Sequence, residues 1–232
     1  MMSSEHGAPD VVIDVAYWNL TRHRHRLEEC EQLLSHDERA RAGRLALPFL
    51  RERFALGRGL LRLALARITD SDPAELRFER GPHGKPSLVG GVGTPPSFSV
   101  SRSDDDLLIA TAPFGAIGCD LERIRPVPEA PAMVSQWFAV AEREALQRLH
   151  GAAFDHAFLA AWVRKEAALK AVGLGLQGSL AIDTGLAGPD GTRATVAVEG
   201  RRLWLADLDR GGGWVAAVSA DRPFTIALSD QS

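Results

Sequence analysis

A chain of 232 residues is long enough for one large domain or two small ones packed together. Its composition, 45% hydrophobic and 25% charged, is that of an ordinary globular protein, and a net charge of −3 speaks against a general nucleic-acid binder. No apolar run reaches the roughly 18 residues of a membrane span. The start, Met1-Met2-Ser3-Ser4-Glu5-His6-Gly7, lacks the basic and apolar stretches of a signal peptide. No membrane partner and a cytoplasmic location are expected.

Val11 to Trp18 opens apolar and β-branched, a good first strand. Arg22 to Arg26 alternates Arg and His, but no acid or cysteine is spaced to complete a metal site, so a solvated loop or helix start is expected. Ser35 followed by Asp37 and Glu38 has the form of a capped helix start. A longer helix is expected from Phe49 to Ile68, with Phe54, Leu56, Leu60, Leu61, Leu63 and Leu65 on its apolar side. Gly57 and Gly59 within it are expected to allow close helix packing.

Leu76 to Glu79 reads as a strand, followed by the tight loop Gly81-Pro82-His83-Gly84-Lys85-Pro86 and a Gly/Pro-rich loop at 90–96. Phe98 to Ser101 and Leu107 to Ala112 read as a hairpin with Ser101, Arg102 and Ser103 at its tip. That tip is either a phosphate cradle of hydroxyls and guanidinium or an ordinary solvated turn. Cys119, in the buried strand Ala116 to Leu121, reads as a small core residue. Cys30 stands too far away to suggest a disulfide or zinc framework.

Asp120 and Glu122 share a face at that strand's end, about 7 Å apart along the chain. Met133 to His150 reads as one helix or two. Phe154 to Val172 reads as a long helix ending at Gly173, with Trp162, Glu166 and Lys170 at i, i+4 and i+8 on one face. Two strand carboxylates and one helix carboxylate make an all-oxygen magnesium site, completed by substrate phosphate and water; manganese suits the same ligands. Taken alone, the Glu166–Lys170 pair reads as an ordinary surface ion pair, and the second acidic site is what argues otherwise. Four strands follow: Ala194 to Glu199, Leu203 to Leu208, Trp214 to Ser219 and Phe224 to Leu228. The repeated order of strand, helices and strands implies an α+β fold of two similar halves, 1–112 and 113–232, with the acidic pair near their junction.

In chain order stand Gly84-Lys85-Pro86, Phe98-Ser99-Val100-Ser101-Arg102-Ser103, Gly118-Cys119-Asp120-Leu121-Glu122 and Trp162-Val163-Arg164-Lys165-Glu166-Ala167. This series resembles the 4′-phosphopantetheinyl transferase superfamily, of the surfactin-synthetase-activating type. Its pattern is GKP, F-x-[IV]-S-H-S, G-[IV]-D-x-E and W-x-x-K-E-A. The resemblance implies a pseudo-dimer of two α+β halves, each a small antiparallel sheet packed against helices, with coenzyme A between them. It implies magnesium at Asp120, Glu122 and Glu166, and coenzyme A contacts from Lys85, Pro86, Ser101, Lys165 and Lys170. Arg41 and Arg53 would lie near the nucleotide's 3′-phosphate.

Arg102 departs from the family's histidine; coenzyme A binding would be retained with a changed pH dependence. The reaction implied is transfer of phosphopantetheine to a serine of an acyl or peptidyl carrier protein. Glu166 would act as base, Lys170 would offset charge and Asp120 would hold metal. Trp137 and Phe138 read either as core or as the carrier's docking surface. A monomer is expected. The rival readings are a coenzyme A- or carrier-binding protein without turnover, and an interaction scaffold whose three acids are solvated surface groups.

Overall fold

The computed structural model describes residues 11–90, 94–175, 179–185, 194–208 and 213–230. The loop expected at 90–96 lies partly outside them. Strand β1 (Val11–Asn19) starts with Val11, Ile13 and Val15 buried and Val12 and Asp14 exposed, the alternation of a half-covered strand. The arginine- and histidine-rich stretch forms one short helical turn leading into α1 (Leu27–Gln32).

Helix α2 (His36–Gly43) begins as its residues dictate: the Ser35 hydroxyl accepts from the Glu38 N–H, and the Glu38 carboxylate accepts from the Ser35 N–H. Helix α3 (Pro48–Thr69) has proline in its first turn. A Cβ at Gly59 would lie 2.4 Å from the Cys30 Cβ, so α1 can sit against α3 only because that position is glycine. The short strands β2 (Arg77–Arg80) and β3 (Pro86–Val89) pair in a hairpin of their own.

Next come β4 (Ser97–Ser103), β5 (Asp106–Ala112), β6 (Ile117–Arg123), α4 (Ala130–Trp137), α5 (Val140–Leu146) and α6 (Gly151–Val172). Gly173 ends α6 in the left-handed conformation expected of a C-cap, at φ 79°. The chain closes with β7 (Ala194–Val198), β8 (Arg201–Leu208), β9 (Trp214–Ala220) and β10 (Phe224–Asp230).

Two four-stranded sheets result, ordered β10-β1-β5-β4 and β6-β9-β8-β7. One apolar cluster lies between them, with Ile13, Val15, Leu108 and Ala110 from the first sheet and Ile117, Cys119, Leu121 and Val218 from the second. Helix α3 covers the outer side of the first sheet through Leu56, Leu60 and Leu65. Helix α6 covers the second through Val163, Ala167 and Leu169. Strands β5 and β9, covered on both faces, are buried along their whole length.

The fold is therefore α+β, and each sheet backs onto a helix of 22 residues. One strand departs from the division at residue 113. β10 leaves the second half and runs parallel to β1, from Val11 opposite Phe224 to Tyr17 opposite Asp230. It covers a ladder edge that β1 would otherwise leave open.

Two further differences concern the site. Ser101, Arg102 and Ser103 are not a hairpin tip. They belong to β4, which stays paired with β5 as far as Ser103 opposite Asp106. The turn falls at Asp104, at φ 53°. Phe138 is core: it is 3% exposed and stacked on Phe158 at 5.6 Å. Trp137 and Val140 beside it stay exposed.

Candidate functional site

Strands β4 and β6, each an edge of its own sheet, lie side by side and are joined by side chains. The Ser99 hydroxyl accepts from the Cys119 N–H at 3.0 Å. Ser101 donates to Asp120 Oδ1 at 2.6 Å, and Ser103 donates to Glu122 Oε2 at 2.7 Å while accepting from the Arg123 N–H at 3.2 Å. Strand alternation sets this up: serines at every second residue of β4 meet acids at every second residue of β6.

From above, α6 presses onto β6 at Gly118, where an added Cβ would lie 2.0 Å from the Ala167 carbonyl oxygen and 2.5 Å from the Ala171 nitrogen. The close approach brings Lys170 Nζ to 2.6 Å from Asp120 Oδ1 and 3.2 Å from Ser101 Oγ. Glu166 projects from the same helix face one turn earlier, as its i,i+4 spacing requires.

The charges of these groups feel one another. Burial pushes the Glu166 carboxyl above the usual carboxylate range; Asp120 and Glu122 push it further, against Lys170. Burial also raises Glu122, with Asp120 adding to it. Burial opposes the Lys170 charge, yet Asp120, Cys119 and Glu166 outweigh it and raise that ammonium's pKa. Lys170 thus serves several acids in a half-enclosed place, with Arg125 also acting on Glu122.

Two oxygens here are buried without a hydrogen-bond partner: Asp120 Oδ2 and Glu166 Oε1. Such groups are costly unless something satisfies them, and hard anionic oxygens suit a magnesium-like cation. As they stand, no group of three or more His, Cys, Asp or Glu among the described residues is gathered closely enough to hold a metal ion. Lys170 and Ser101 share Asp120 Oδ1, and Ser103 occupies Glu122 Oε2. The donor set fits a hard divalent cation, with the acids now held by hydroxyls and one ammonium.

Several expected site residues lie elsewhere. Lys165 is not at the acid cluster. Its side chain is fully buried, its Nζ is 2.5 Å from Glu142 Oε2, and it sits 4.7 Å from the Phe138 ring centre. Glu142 in turn accepts from the Thr184 N–H and hydroxyl at 3.0 and 2.9 Å. One residue on a helix is about 100° of rotation, so Lys165 must leave the face that Glu166 occupies.

Arg102 points away from its flanking serines for the corresponding strand reason. Burial and Arg53 both lower its pKa while Asp105 supports it, which places Arg102 with Arg53 and Asp105. Arg53 is held 2.6 Å from Asp105 and lies 5.2 Å from the Phe49 ring centre.

Lys85 spans two elements: its Nζ donates to the Ile117 carbonyl at 2.8 Å and the Ala171 carbonyl at 3.3 Å, and burial pushes its pKa down to about 8. Next to it, Pro86 lines a cavity of about 510 Å³ together with Arg41, Arg44, Arg58 and Arg80. Arg53 lines a separate cavity with Phe49 and Asp105. Sequence reading missed Glu142, Arg58 and the packing role of Gly118.

Residues 116–218 match the sequence model of the 4′-phosphopantetheinyl transferase superfamily. The chain is 39% identical over 150 residues to a Synechocystis protein provisionally named 4′-phosphopantetheinyl transferase slr0495, covering 65% of this chain and 61% of that one. It is 34% identical over 152 residues to the 4′-phosphopantetheinyl transferase HetI of Nostoc, covering 65% and 64%. To the 4′-phosphopantetheinyl transferase AcpT of Escherichia coli O157:H7 it is 31% identical over 120 residues, covering 52% and 57%. The chain spans less than two thirds of the length of each of these relatives.

Proposed function

We propose that this chain, whose residues 116–218 match the 4′-phosphopantetheinyl transferase superfamily, is a member of it and moves the phosphopantetheine arm of coenzyme A onto a serine of an acyl or peptidyl carrier protein. The observation that carries the reading is the acid cluster: Asp120 and Glu166 each keep a buried oxygen unpartnered beside Lys170. An ordinary surface ion pair would be solvated and would leave no such oxygens.

In the reaction, the carrier's serine oxygen forms a bond to the phosphorus that bears the pantetheine. The bond from that phosphorus to the oxygen of the nucleotide's 5′-phosphate breaks, releasing adenosine 3′,5′-bisphosphate. The serine proton goes to Glu166, or to a water held by it; its raised pKa suits a group that must accept a proton near neutrality. Lys170 holds positive charge beside Asp120, where charge on the leaving phosphate can be offset. Ser101 and Ser103 fix the orientation of the two strand acids. Magnesium, held by Asp120, Glu122 and Glu166, would supply neutralisation of the pyrophosphate charge.

Lys85 and Pro86 join this cluster to the arginine-lined cavity, which suits the nucleotide end of coenzyme A. Arg41 fits that role and Arg53, paired to Asp105, does not. The carrier would dock near the exposed Trp137 and Val140. No helix among the described residues is long and apolar enough to cross a membrane.

The test is chromatographic detection of adenosine 3′,5′-bisphosphate from coenzyme A, magnesium and an apo carrier, with a carrier lacking its serine as control. Nucleotide release that requires the serine supports the reading. Coenzyme A binding without release from any of several carriers would leave only a binding protein.

A further inference from the structure

The apolar layer between the two sheets ends in a buried charge. Asp106, the first residue of β5, is 1% exposed. Its carboxylate accepts from the Tyr17 hydroxyl and, at 3.1 Å, from the Asn19 amide, both on β1. It is also ion-paired to Arg123, the last residue of β6. Tyr17 is stacked at 5.2 Å on Trp214, and both rings belong to the packing between the sheets. Burial first, and then the bond to Asp106, push the Tyr17 pKa up to about 12, so its hydroxyl stays a donor.

Filling that space does not call for charge. Apolar residues of similar volume hold such a place as well as a buried ion pair or better. What the pair adds is a fixed tie between two elements, and here it joins a strand of the first sheet to a strand of the second.

The tie falls beside Glu122. β9 holds β6 by a ladder on one side, while on the other side side chains link β6 to β4. Asp106 acts on that second side twice. Its backbone lies opposite Ser103, whose hydroxyl donates to Glu122 Oε2 at 2.7 Å and accepts from the Arg123 N–H at 3.2 Å. Its carboxylate holds the Arg123 side chain. Residue 123 is thus fixed at backbone and guanidinium, and Glu122 cannot draw back from Ser103 without loosening one of those ties. Resting on the proposed function, in which Glu122 is a metal ligand, we infer that Asp106, acting through Arg123, is a positioning residue that keeps the Glu122 carboxylate where a divalent cation can use it.

The experiment measures the Kd of Mn²⁺ from the electron paramagnetic resonance of the free ion, with saturating coenzyme A, no carrier, and coenzyme A alone as blank. Wild type, Asp106→Asn, Arg123→Gln and Arg123→Lys are compared, each first checked for a cooperative thermal transition above the assay temperature. Asp106→Asn keeps an acceptor for Tyr17 and Asn19 but loses the charge that holds the guanidinium. Asp106→Asn and Arg123→Gln should each raise the Kd about tenfold, the low end for outer partners of metal ligands. Arg123→Lys, which keeps the charge, should fall between wild type and Arg123→Gln. Because the effect runs through Glu122, Asp106→Asn added to Glu122→Gln should change that variant's Kd by less than about twofold. A Kd within about twofold of wild type in either Asp106→Asn or Arg123→Gln, or the full rise repeated on Glu122→Gln, would overturn the assignment. A pair with a structural role alone would lower Tm and leave the Kd where it was. Transfer by wild type with unmoved Kd values would sink Asp106 and spare the transferase reading. The expected Kd pattern in a protein that modifies no carrier would do the opposite, and a wild type that binds no Mn²⁺ would overturn the inference together with the metal.

Discussion

Replacing Gly118 by alanine should damage stability and activity together, although the residue touches no substrate. The added Cβ would meet the Ala167 carbonyl oxygen at 2.0 Å and the Ala171 nitrogen at 2.5 Å, both backbone atoms with no rotamer to yield. Reaching ordinary contact near 3.5 Å requires α6 to retreat by on the order of 1 Å. Overpacking of this kind costs about 1–3 kcal/mol, and a rigid backbone partner points to the upper end. For a chain of this size, about 3 kcal/mol lowers Tm by roughly 6–12 °C.

The same retreat carries Glu166 and Lys170 away from Asp120 and Glu122, and a misplacement near 1 Å can cost about 100-fold in rate. The assay is thermal denaturation followed by circular dichroism, with transfer rates measured well below the melting range. Gly43→Ala is the control: a Cβ there meets nothing within 4 Å, so Tm should stay level or rise slightly. A Gly118→Ala protein with Tm within about 2 °C of wild type and an undiminished rate would refute the argument.

Three further outcomes follow from the charged groups. Glu166→Gln removes the proposed base and should lower the transfer rate by at least about 100-fold. Its Tm should hold or rise, because the wild-type carboxylate is raised in pKa by burial and by Asp120 and so resists charging in the fold; a falling Tm would contradict this. Lys85 has its folded pKa depressed to about 8 from 10.5, so the unfolded chain binds more protons between those values and the group's contribution to stability rises with pH across that window. Urea unfolding of wild type and Lys85→Met from pH 7.5 to 10 should show the wild type gaining relative to the variant; parallel curves would refute it. Lys165→Met leaves the Glu142 charge buried without its cation and should cost about 3–5 kcal/mol, while the coenzyme A Kd of the protein that still folds changes little. A large rise in Kd with unchanged stability would return Lys165 to the binding site.

Periodicity carried much of this from the sequence. The i,i+2 spacing of Asp120 and Glu122 and the i,i+4 spacing of Glu166 and Lys170 put four charged groups on two faces that the structure brings near one another. Lys165 and Arg102 show where grouping by motif and placement in the fold part company. The motifs group each with its neighbours, although one step along a helix or a strand turns a side chain to another face. The face geometry was already in the sequence and only needed to be applied to every residue of each motif. Other features were not legible there. Nothing in the alternation of Phe224 to Asp230 tells which sheet it joins, because β-pairing is set by long-range packing. That Arg58 keeps a buried donor without a partner depends on how Glu38 divides itself between two arginines, a competition that only coordinates display.

The central claim is that Asp120, Glu122, Glu166 and Lys170 together transfer phosphopantetheine. Its most direct test is the intact mass of an apo carrier protein incubated with coenzyme A and magnesium, beside wild type in one arm and Asp120→Ala in the other. The account predicts a mass increase of one phosphopantetheine with wild type, lost with the variant and lost on adding chelator. An Asp120→Ala protein that modifies the carrier as fast as wild type would contradict it.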